Sequence, residues 1–467
     1  MKINTKITEV VLRDGQQSLI ATRMKTKDMT PILGKMDEVG YSSVEVWGGA
    51  TYDCCLRFLN ENPWDRLKTF KQSFKKTELQ MLIRGQNIVG YKKFDDSVLS
   101  LFISTAAKSG ISVFRTFDSL NDLANIESSI KFINQNNKHS QGTISYTTSP
   151  IHNNKYWLKL AMDIQDLGAK SVGIKDMSGL LRPYVAYDLI SLLKKNLKIP
   201  IYLHTHSTTG LSDATNLKAF EAGVDNIDTS ISSFSGAYGH TATESFISML
   251  YQDNKNPYDM NLLNEISEYF KNIRAKYQKY EGSMIGTDTR ILYSQLPGGM
   301  LSNLENQLKD LEMEDRFSDL VDEIPKIRKD LGYIPLVTPS SQIVGTQAML
   351  NIKNGKRYET LTNEMIDLVN GDYGEITGKI NKELKDLVNF NSSSKDKKTS
   401  LTAKEYRGEF KKKCIEKNLG NLYRNDKHLL NYILFPDISI DFYLEVIREK
   451  DERIYDLQES LGVHIND

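Results

Sequence analysis

Eight short apolar segments, separated by amphipathic ones, set the rhythm of about the first 250 residues and constrain the fold more than any other feature. The apolar segments are rich in β-branched residues and lie at 6–12, 42–48, 79–85, 111–118, 142–148, 171–177, 199–206 and 224–231. Between them, apolar residues recur at helical spacing, as over 28–39, 96–108, 157–167, 184–195 and 213–222. Strands that alternate with helices predict an α/β fold, the (β/α)8 TIM barrel, with an open doubly wound parallel sheet as the alternative.

Two details of this region support the barrel. Gly40, Gly110, Gly168 and Gly223 each stand between a helical segment and the next apolar segment, where a left-handed C-cap favours glycine. The sequence after the first predicted strand reads VLRDGQQS, with Gly15 as its one glycine. It therefore lacks the glycine-rich loop with which open sheets bind dinucleotides.

The pattern changes at about residue 255, where helical segments continue without intervening strands. We therefore expect a barrel domain over 1–290 and a mainly helical C-terminal domain over 291–467, with a polar loop at about 391–400. The charged amphipathic segment 439–463 is interpreted as a helix that packs one face on its own domain. A coiled-coil contact with a partner is the alternative for this segment.

Composition excludes several function classes. Lysine plus arginine and aspartate plus glutamate each number 60, so no net charge attracts nucleic acid or an anionic membrane surface. Three cysteines, Cys54, Cys55 and Cys414, do not suit a disulfide framework and fit a reducing cytoplasm. The N-terminal segment lacks the apolar core of a signal peptide, and no segment is apolar and long enough to span a bilayer. We expect a cytoplasmic enzyme that binds no nucleic acid.

Polar residues cluster at the C-terminal ends of the predicted strands, where barrel enzymes carry their chemistry. The strand ends hold, in order, Arg13, Asp14, Gln16 and Gln17; Trp47 and Asp53; Arg84 and Tyr91; Arg115 and Asp118; Tyr146 and Thr148; Lys175 and Asp176; His204 and His206; and the segment SSFSGAYGH. Each of these polar residues, taken alone, could have a structural role. Arg13, for example, could form an ion pair with a neighbouring carboxylate. A polar ring drawn from all eight strands predicts an active site.

His204 and His206 are the strongest metal candidates in this ring. Residues i and i+2 of a strand face the same side, so both imidazoles would point into one space. They can bind a metal there, or they can be ordinary packed residues. Asp14 is the best candidate for a carboxylate ligand, and such a ligand set suits zinc, manganese or cobalt.

Lys175 is unexpected beside such a site, because an ammonium group repels a metal cation and a nearby metal favours the neutral amine. A neutral lysine amine can combine with carbon dioxide to give a carbamate, which is anionic and can bind a metal. The alternative is an ion pair of Lys175 with Asp176 or with another carboxylate at the barrel mouth.

Seven segments of the barrel resemble the biotin-dependent carboxyltransferases: RDGQQSLIATRM, WGGATYD, LIRGQNIVGY, FRTFDSLND, ISYTTSPIH, IKDMSGLLRPY and LHTHSTTGLSDAT. The family includes oxaloacetate decarboxylase α subunits, the carboxyltransferase part of pyruvate carboxylase, which also occurs as a separate subunit, and the metal-bearing subunit of transcarboxylase. The resemblance continues through QLPGGMLSNL (295–304) and LGYIPLVTPSSQIVG (331–345) and fades after about residue 390. Many motifs in the same order make it far more specific than any single motif.

The resemblance implies a TIM barrel whose mouth is covered by a funnel of helices from the C-terminal domain. It also implies a divalent metal held by Asp14, carbamylated Lys175 (N6-carboxylysine), His204 and His206, with zinc preferred to manganese or cobalt.

The resemblance assigns further residues to the chemistry. Gln17 and Arg84 would bind the keto acid, since a guanidinium can grip a carboxylate by two parallel hydrogen bonds. Thr338 would move a proton between the methyl carbon of pyruvate and N1 of biotin, because a hydroxyl both donates and accepts. Tyr91 and Ser341 would lie near the biotin ring. By local chemistry alone, Thr338 is an ordinary turn residue before a proline.

The implied reaction moves a carboxyl group between carboxybiotin and pyruvate or oxaloacetate, in either direction. No Met-Lys-Met segment of a biotin carrier occurs in the C-terminal region, so we expect biotin to arrive on a carrier protein that is another chain. The other subunits would be a biotin carboxylase or the membrane subunits of a sodium-pumping oxaloacetate decarboxylase, which would place the chain at the membrane periphery. The resemblance also implies a homodimer.

Departures from the family pattern leave the keto-acid preference open. Gln16 stands where many relatives have histidine, and Gln342 stands where lysine is common. Two alternatives remain: another metal-dependent aldolase-like barrel, such as a Claisen condensing enzyme or lyase, and a non-catalytic scaffold subunit. A condensing enzyme needs neither Lys175 nor the VTPSS segment.

Overall fold

Eight parallel strands close into a barrel in chain order, and the eighth is hydrogen-bonded to the first. The structure is a computed structural model, and it describes residues 5–90, 92–251, 255–282, 284, 286–391 and 400–460. The strands are β1 (Lys6–Glu9), β2 (Ser43–Trp47), β3 (Glu78–Ile83), β4 (Ile111–Phe117), β5 (His139–Ser145), β6 (Ser171–Asp176), β7 (Ile201–Thr205) and β8 (Asn226–Thr229). Ile7 pairs with Ile227 across the closure, so the predicted barrel is confirmed and the open sheet is excluded.

Helices follow the strands on the outside of the barrel, as the sequence pattern predicts. They span Gln16–Ile20, Thr26–Met29, Leu33–Glu38, Gly49–Cys54, Pro63–Ser73, Asp96–Lys108, Ala124–Gln135, Asn154–Asp166, Pro183–Asn196, Ser212–Glu221, Thr243–Leu250 and Met260–Lys276. Gly40, Gly110, Gly168 and Gly223 have φ angles of 88°, 116°, 86° and 88°. These positive angles confirm the predicted glycine C-caps.

Two strand predictions are displaced. β1 ends at Glu9 rather than at residue 12, and the chain continues as a buried helical turn over Val11–Gly15. The carboxylate of Glu9 accepts hydrogen bonds from the backbone N–H groups of Val11 and Ile231, at 2.9 Å and 3.1 Å. These hydrogen bonds stabilise the turn, and they take the role that strand pairing would have had. β5 begins three residues before the predicted 142–148, so the predicted mouth residues Tyr146 and Thr148 follow the strand.

The described residues beyond 290 form helices, and none of the barrel strands comes from this part. The helices span Ile291–Ser294, Gly298–Asp310, Phe317–Asp330, Ser340–Asn354, Asn363–Val369, Lys382–Asn391, Ala403–Glu416, Asp426–Leu434 and Pro436–Ser460. Arg328 joins this part to the barrel mouth, because its buried guanidinium donates to Thr147 Oγ1 and to the carbonyl of Thr148, each at 2.9 Å. The side chain of Gln295 accepts from Thr147 and donates to Thr148 at the same place. The helical part thus lies over the C-terminal ends of the strands, as the predicted funnel requires.

Three remaining predictions concern single segments. Trp47 is fully buried against Trp64 and Phe102, with ring centroids 4.9 Å and 5.8 Å away, and belongs to the core rather than to the mouth. The tail is a helix, and Tyr443 packs its first half on its own chain by accepting from Asn431 at 2.8 Å. Positions 392–399 of the predicted polar loop lie outside the described residues. Among the described residues, no helix is long and apolar enough to cross a membrane.

Candidate metal centre and substrate cavity

Four buried residues bring their ligand atoms together at the C-terminal end of the barrel: Asp14, His204, His206 and His240. All four atoms lie within 4.8 Å of one another. The Nε2 atoms of His204 and His206 are 3.2 Å apart. The carboxylate oxygens of Asp14 lie 3.5 Å from His204 Nε2, 3.7 Å from His206 Nε2 and 3.4 Å from His240 Nε2. The structure therefore brings together three of the predicted ligands and adds a histidine that was not predicted.

The local fold places each of the three predicted side chains. Asp14 belongs to the helical turn Val11–Gly15, which replaces the predicted end of β1. This turn places the Asp14 carboxylate at the barrel mouth. His204 lies within β7, and His206 follows directly after it. Alternation along the strand turns both rings inward, while the Thr205 hydroxyl between them donates outward to Asp176 at 2.9 Å. The two histidines therefore face the same side, as strand alternation predicts.

Each imidazole of the cluster is oriented by an oxygen on its Nδ1 side. His204 Nδ1 lies 2.7 Å from a carboxylate oxygen of Asp228, His206 Nδ1 lies 2.7 Å from the carbonyl of Tyr238, and His240 Nδ1 lies 3.1 Å from the carbonyl of Thr205. Because carbonyl and carboxylate oxygens only accept, these contacts assign the ring proton to Nδ1 in all three histidines. Three Nε2 lone pairs then face the Asp14 carboxylate, which is the arrangement a cation stabilises.

The electrostatics of the cluster agree with this assignment. Burial lowers the pKa of His204 well below its ordinary value and lowers the pKa of His206 to about 3, so both rings are neutral at physiological pH. Burial alone would raise the pKa of Asp14, but Arg13 and Lys175 hold that pKa well below its ordinary range. His204 and His206 are thus neutral and Asp14 is ionised, which are the protonation states that metal ligands need.

Sequence reasoning placed the segment SSFSGAYGH at the mouth but did not identify its last residue, His240, as a candidate ligand. His240 lies between β8 and the helix Thr243–Leu250. A bridge between His206 and His240 carries this segment to the end of β7. Ser207 N–H donates to the carbonyl of Gly239 at 2.8 Å and attaches the segment there, and Gly236 N–H donates to the carbonyl of His240 at 2.9 Å within the segment. The available signal was a third histidine after the eighth strand in a chain that contains only seven.

Lys175 belongs to the same cluster. Its buried Nζ atom lies 2.7 Å from His204 Nε2 and 3.4 Å from Asp14 Oδ2, and burial lowers its pKa to about 8. Asp176 faces the opposite side of β6, where it accepts from the backbone N–H groups of Leu180 and Leu181, each at 2.8 Å. The structure therefore shows the alternative ion pair of Lys175 with another carboxylate at the mouth, Asp14, and not the one with Asp176.

Charged side chains fill the barrel beneath the cluster. Arg13 forms ion pairs with Glu45 and, at 2.9 Å, with Asp14. Arg115 forms ion pairs with Asp228 and, at 3.4 Å, with Glu45. Every one of these side chains is almost completely buried. The predicted ion pair of Arg13 is thus present, as part of a network that also reaches the Asp228 partner of His204.

A small cavity, partly open to solvent, lies where the barrel meets the helical part. Its lining includes Arg84, which directly follows β3, and Thr338, which precedes the helix Ser340–Asn354. Other lining residues are Asn87, Gly90, Phe117, Asp118, Ser119, Asn125, Pro339 and Tyr373. Arg84 Nη1 donates to the carbonyl of Gly90 at 2.9 Å. Residues about 250 positions apart in the sequence thus share one cavity at the barrel mouth.

The other predicted residues have these positions. Gln17 is half-buried, and its Oε1 accepts from Arg13 at 3.2 Å. Ser341 is buried in the first turn of the helix Ser340–Asn354. Tyr91 lies outside the described residues. Gln16 is fully buried, donates to the carbonyl of Leu12 at 2.7 Å, and takes part in the backbone scaffold rather than in the cluster.

Comparison with known proteins identifies the family. Residues 4–269 match the family described as HMGL-like, and residues 291–461 match the conserved carboxylase domain. A pyruvate carboxylase subunit of Methanocaldococcus jannaschii is 44% identical over 94% of this chain and 77% of its own. The methylmalonyl-CoA carboxyltransferase 5S subunit of Propionibacterium freudenreichii is also 44% identical, over 94% of this chain and 87% of its own.

A solved structure agrees with the sequence comparisons. The carboxyl transferase domain of Rhizobium etli pyruvate carboxylase, determined with pyruvate and biocytin, is 31% identical and superposes with a TM-score of 0.89 over 95% of this chain and 77% of its own. A closed barrel with a helical part over its mouth, joined to a conserved carboxylase domain, defines a carboxyltransferase of the biotin-dependent enzymes. This chain belongs to that family, which includes the pyruvate carboxylase subunit of Methanocaldococcus jannaschii.

Proposed function

We propose that this enzyme moves a carboxyl group between carboxybiotin and pyruvate or oxaloacetate. The observation that carries the proposal is the shared cavity of Arg84 and Thr338, which combines an anchor for a carboxylate with a hydroxyl that can carry a proton. The conserved carboxylase domain match over 291–461 favours carboxyl transfer over the condensing-enzyme alternative, because Thr338 comes from that part of the chain.

Each predicted residue has a task in this proposal. Arg84 and Gln17 hold the keto acid, and the guanidinium of Arg84 binds its carboxylate. Thr338 Oγ1 accepts a proton from the methyl carbon of pyruvate and passes it to N1 of biotin, or carries it back when oxaloacetate is decarboxylated. Tyr91 and Ser341 border the biotin ring. The helical part over the mouth excludes water, so that carbon dioxide released from carboxybiotin stays beside the acceptor.

We propose that Asp14, His204, His206 and a carbamylated Lys175 hold a divalent metal ion. The orientation of the imidazoles by Asp228 and by backbone carbonyls fits such an ion, as does the ionised Asp14. Imidazole ligands favour zinc, with cobalt or manganese as substitutes. When bound, the ion would act as a Lewis acid toward the keto oxygen and developing enolate charge.

The charges of the barrel support carbamylation of Lys175. Three carboxylates, from Asp14, Glu45 and Asp228, face two guanidinium groups and Lys175, so an ammonium at Lys175 gives a formal sum of zero. A divalent cation adds two positive charges. Conversion of the ammonium to a carbamate removes two positive charges: the ammonium loses a proton to give the amine, and addition of carbon dioxide to the amine nitrogen releases a second proton. The modified lysine therefore restores neutrality in a buried site, where net charge is costly.

The remaining expectations are also proposals. Biotin arrives on a separate carrier protein, and the other subunits are a biotin carboxylase or a membrane decarboxylase. The chain divides into domains over 1–290 and 291–467, and two copies form a homodimer. A cytoplasmic location agrees with the three cysteines, which are all free and buried.

The proposal is tested by following the loss of oxaloacetate and the formation of pyruvate in the purified protein, with and without free biotin. A carboxyltransferase shows a rate that rises with biotin. Because free divalent metals decarboxylate oxaloacetate unaided, the same concentration of zinc without protein is the control. A rate that is independent of biotin, in protein shown to contain its metal, contradicts the proposal. 2-Oxobutyrate and 2-oxoglutarate, tested as carboxyl acceptors beside pyruvate, define the keto-acid preference.

A further inference from the structure

We propose that His240 is a metal ligand, so that Asp14 and three imidazoles hold the ion whether or not Lys175 carries a carbamate. The inference rests on the metal centre of the proposed function and extends it by one residue. It changes the number of imidazole ligands from two to three, which also bears on how strongly the site prefers zinc or cobalt to manganese.

The first observation is an unpartnered nitrogen. His240 is fully buried, and its Nε2 has no hydrogen-bond partner among the described residues. Since Nδ1 faces the carbonyl of Thr205, the Nε2 atom carries a lone pair. Asp14 Oδ1, another acceptor, lies 3.4 Å from this nitrogen. Two buried acceptors at this distance oppose each other, and a cation between them satisfies both.

The second observation is the spacing of the donors. Ligands bound to zinc at about 2.0–2.1 Å in a tetrahedron lie about 3.4 Å from one another. In the cluster, the Asp14 oxygens lie 3.4 Å from His240, 3.5 Å from His204 and 3.7 Å from His206, and the Nε2 atoms of His204 and His206 are 3.2 Å apart. The distance from His240 to Asp14 thus matches the tetrahedral spacing, and its Nε2 lies within 4.8 Å of the other ligand atoms.

The third observation is the fixed position of the ring. The His206–His240 bridge and the hydrogen bond from Ser207 N–H to the carbonyl of Gly239 hold the segment at the end of β7, and a hydrogen bond from Gly236 to His240 fixes the turn within it. The ring centroid of His240 lies 4.5 Å from that of His204 and 4.3 Å from that of His206. A ligand held by its backbone in this way needs little reordering to bind an ion.

Two consequences follow. Imidazole suits zinc and cobalt better than manganese, which prefers oxygen ligands, so a third histidine strengthens the preference for zinc or cobalt. Four protein donors also remain when Lys175 is unmodified. Metal binding is then weaker without bicarbonate, because the buried charge is not balanced, but it persists, whereas a site that depends on the carbamate loses its ion.

The test measures zinc content and zinc affinity of the full-length chain, by elemental analysis and chelator competition, in buffer free of bicarbonate. The variants are His240→Ala, Lys175→Ala and His204→Ala, with His152→Ala as a matched histidine control outside the cluster. We expect zinc binding in His240→Ala to be at least about tenfold weaker, since substitutions of residues around a metal ion cause losses of this size. Lys175→Ala should retain zinc, His204→Ala should lose it, and His152→Ala should match the wild type.

A measurement on the wild type guards against a variant that fails to fold. X-ray absorption of the zinc-loaded protein counts imidazole ligands, and three support the proposal while two overturn it. Unchanged zinc affinity in a folded His240→Ala protein also overturns it, as does zinc binding only after bicarbonate is added. These readouts do not use carboxyl transfer. A protein with three imidazole ligands and no transfer activity would contradict the proposed function alone.

Discussion

The Nδ1 atom of His204 lies 2.7 Å from Oδ2 of Asp228, and Arg115 Nη1 donates to the same oxygen. Arg115 donates to the second oxygen, Oδ1, at 3.0 Å. The buried carboxylate therefore fixes both the tautomer and the orientation of a proposed metal ligand. Residues of this kind bind no metal themselves but decide how well a ligand does so.

Replacement of this carboxylate gives a first prediction. Asp228→Asn should weaken zinc binding by about 10- to 100-fold, because an amide orients and polarises the His204 ring less well than a carboxylate does. Chelator competition on the folded protein measures the change. Asp163→Asn, on the exposed face of the helix Asn154–Asp166, is the matched control and should leave the affinity unaltered. Equal affinities in the two variants would show that Asp228 does not act through His204.

Carbamylation of Lys175 gives a second prediction. Protein equilibrated with 13C-labelled bicarbonate and zinc should show a carbamate carbonyl resonance in its 13C NMR spectrum. Burial lowers the pKa of Lys175 to about 8, so far more neutral amine is available than in an ordinary lysine. Lys175→Met should lack the resonance, while Lys198→Met at an exposed position should keep it. A resonance that persists in Lys175→Met would place the modification elsewhere.

The proposed keto-acid anchor gives a third prediction. Arg84→Lys should raise the KM for pyruvate or oxaloacetate by about 10- to 100-fold, because lysine cannot form two parallel hydrogen bonds with a carboxylate. Steady-state kinetics at saturating biotin measure this value. The control is Arg57→Lys, at an exposed residue whose guanidinium pairs with Asp53 at 2.9 Å. A KM within twofold of the wild type would remove Arg84 from substrate binding.

Acid stability gives a fourth prediction. Asp37 accepts hydrogen bonds from the backbone N–H groups of Lys75, Lys76 and Thr77 at 2.8 Å, 3.0 Å and 2.8 Å, and these bonds lower its pKa although burial opposes them. A depressed native pKa stabilises the fold above about pH 4, the unfolded value, and the contribution is lost as the pH falls through the native value.

Asp37→Asn should therefore lower the free energy of unfolding by about 2 kcal/mol at pH 7. The difference from the wild type should shrink as the pH falls below about 4. Urea unfolding at pH 7 and at pH 3 measures both values, and Asp188→Asn on an exposed helix face is the control. A difference that grows on acidification would contradict the assignment.

The barrel was predictable from the sequence because its signal is periodic. The helix Asp96–Lys108 and the four glycine C-caps follow from local patterns that each element carries in its own residues. The end of β1 was not predictable in this way. Residues 10–12 have the apolar pattern of a strand. Hydrogen bonds from the backbone N–H groups of Val11 and Ile231 to the Glu9 carboxylate replace strand pairing there. Ile231 is more than 200 residues away in the sequence, so no local pattern predicts this contact.

The residues of the candidate site also differ in whether a local sequence pattern could predict their positions. His204 and His206 could be placed together because strand alternation is local. His240 could not, because its position depends on a bridge between two separate parts of the chain. The cavity shared by Arg84 and Thr338 likewise joins the barrel to the helical part. No sequence periodicity relates Arg84 to Thr338. Before the structure, only the family resemblance predicted that both residues belong to one site.

Thr338 offers the sharpest test of the proposed carboxyl transfer. The measurement is biotin-stimulated loss of oxaloacetate by the wild type, Thr338→Ala and Thr338→Ser, with Thr69→Ala as a control and zinc content determined for each. We expect the alanine variant to lose the biotin-dependent rate but keep its zinc, while the serine variant, which retains a hydroxyl, keeps part of the rate. A biotin-dependent rate that survives in Thr338→Ala would contradict the proposed proton transfer.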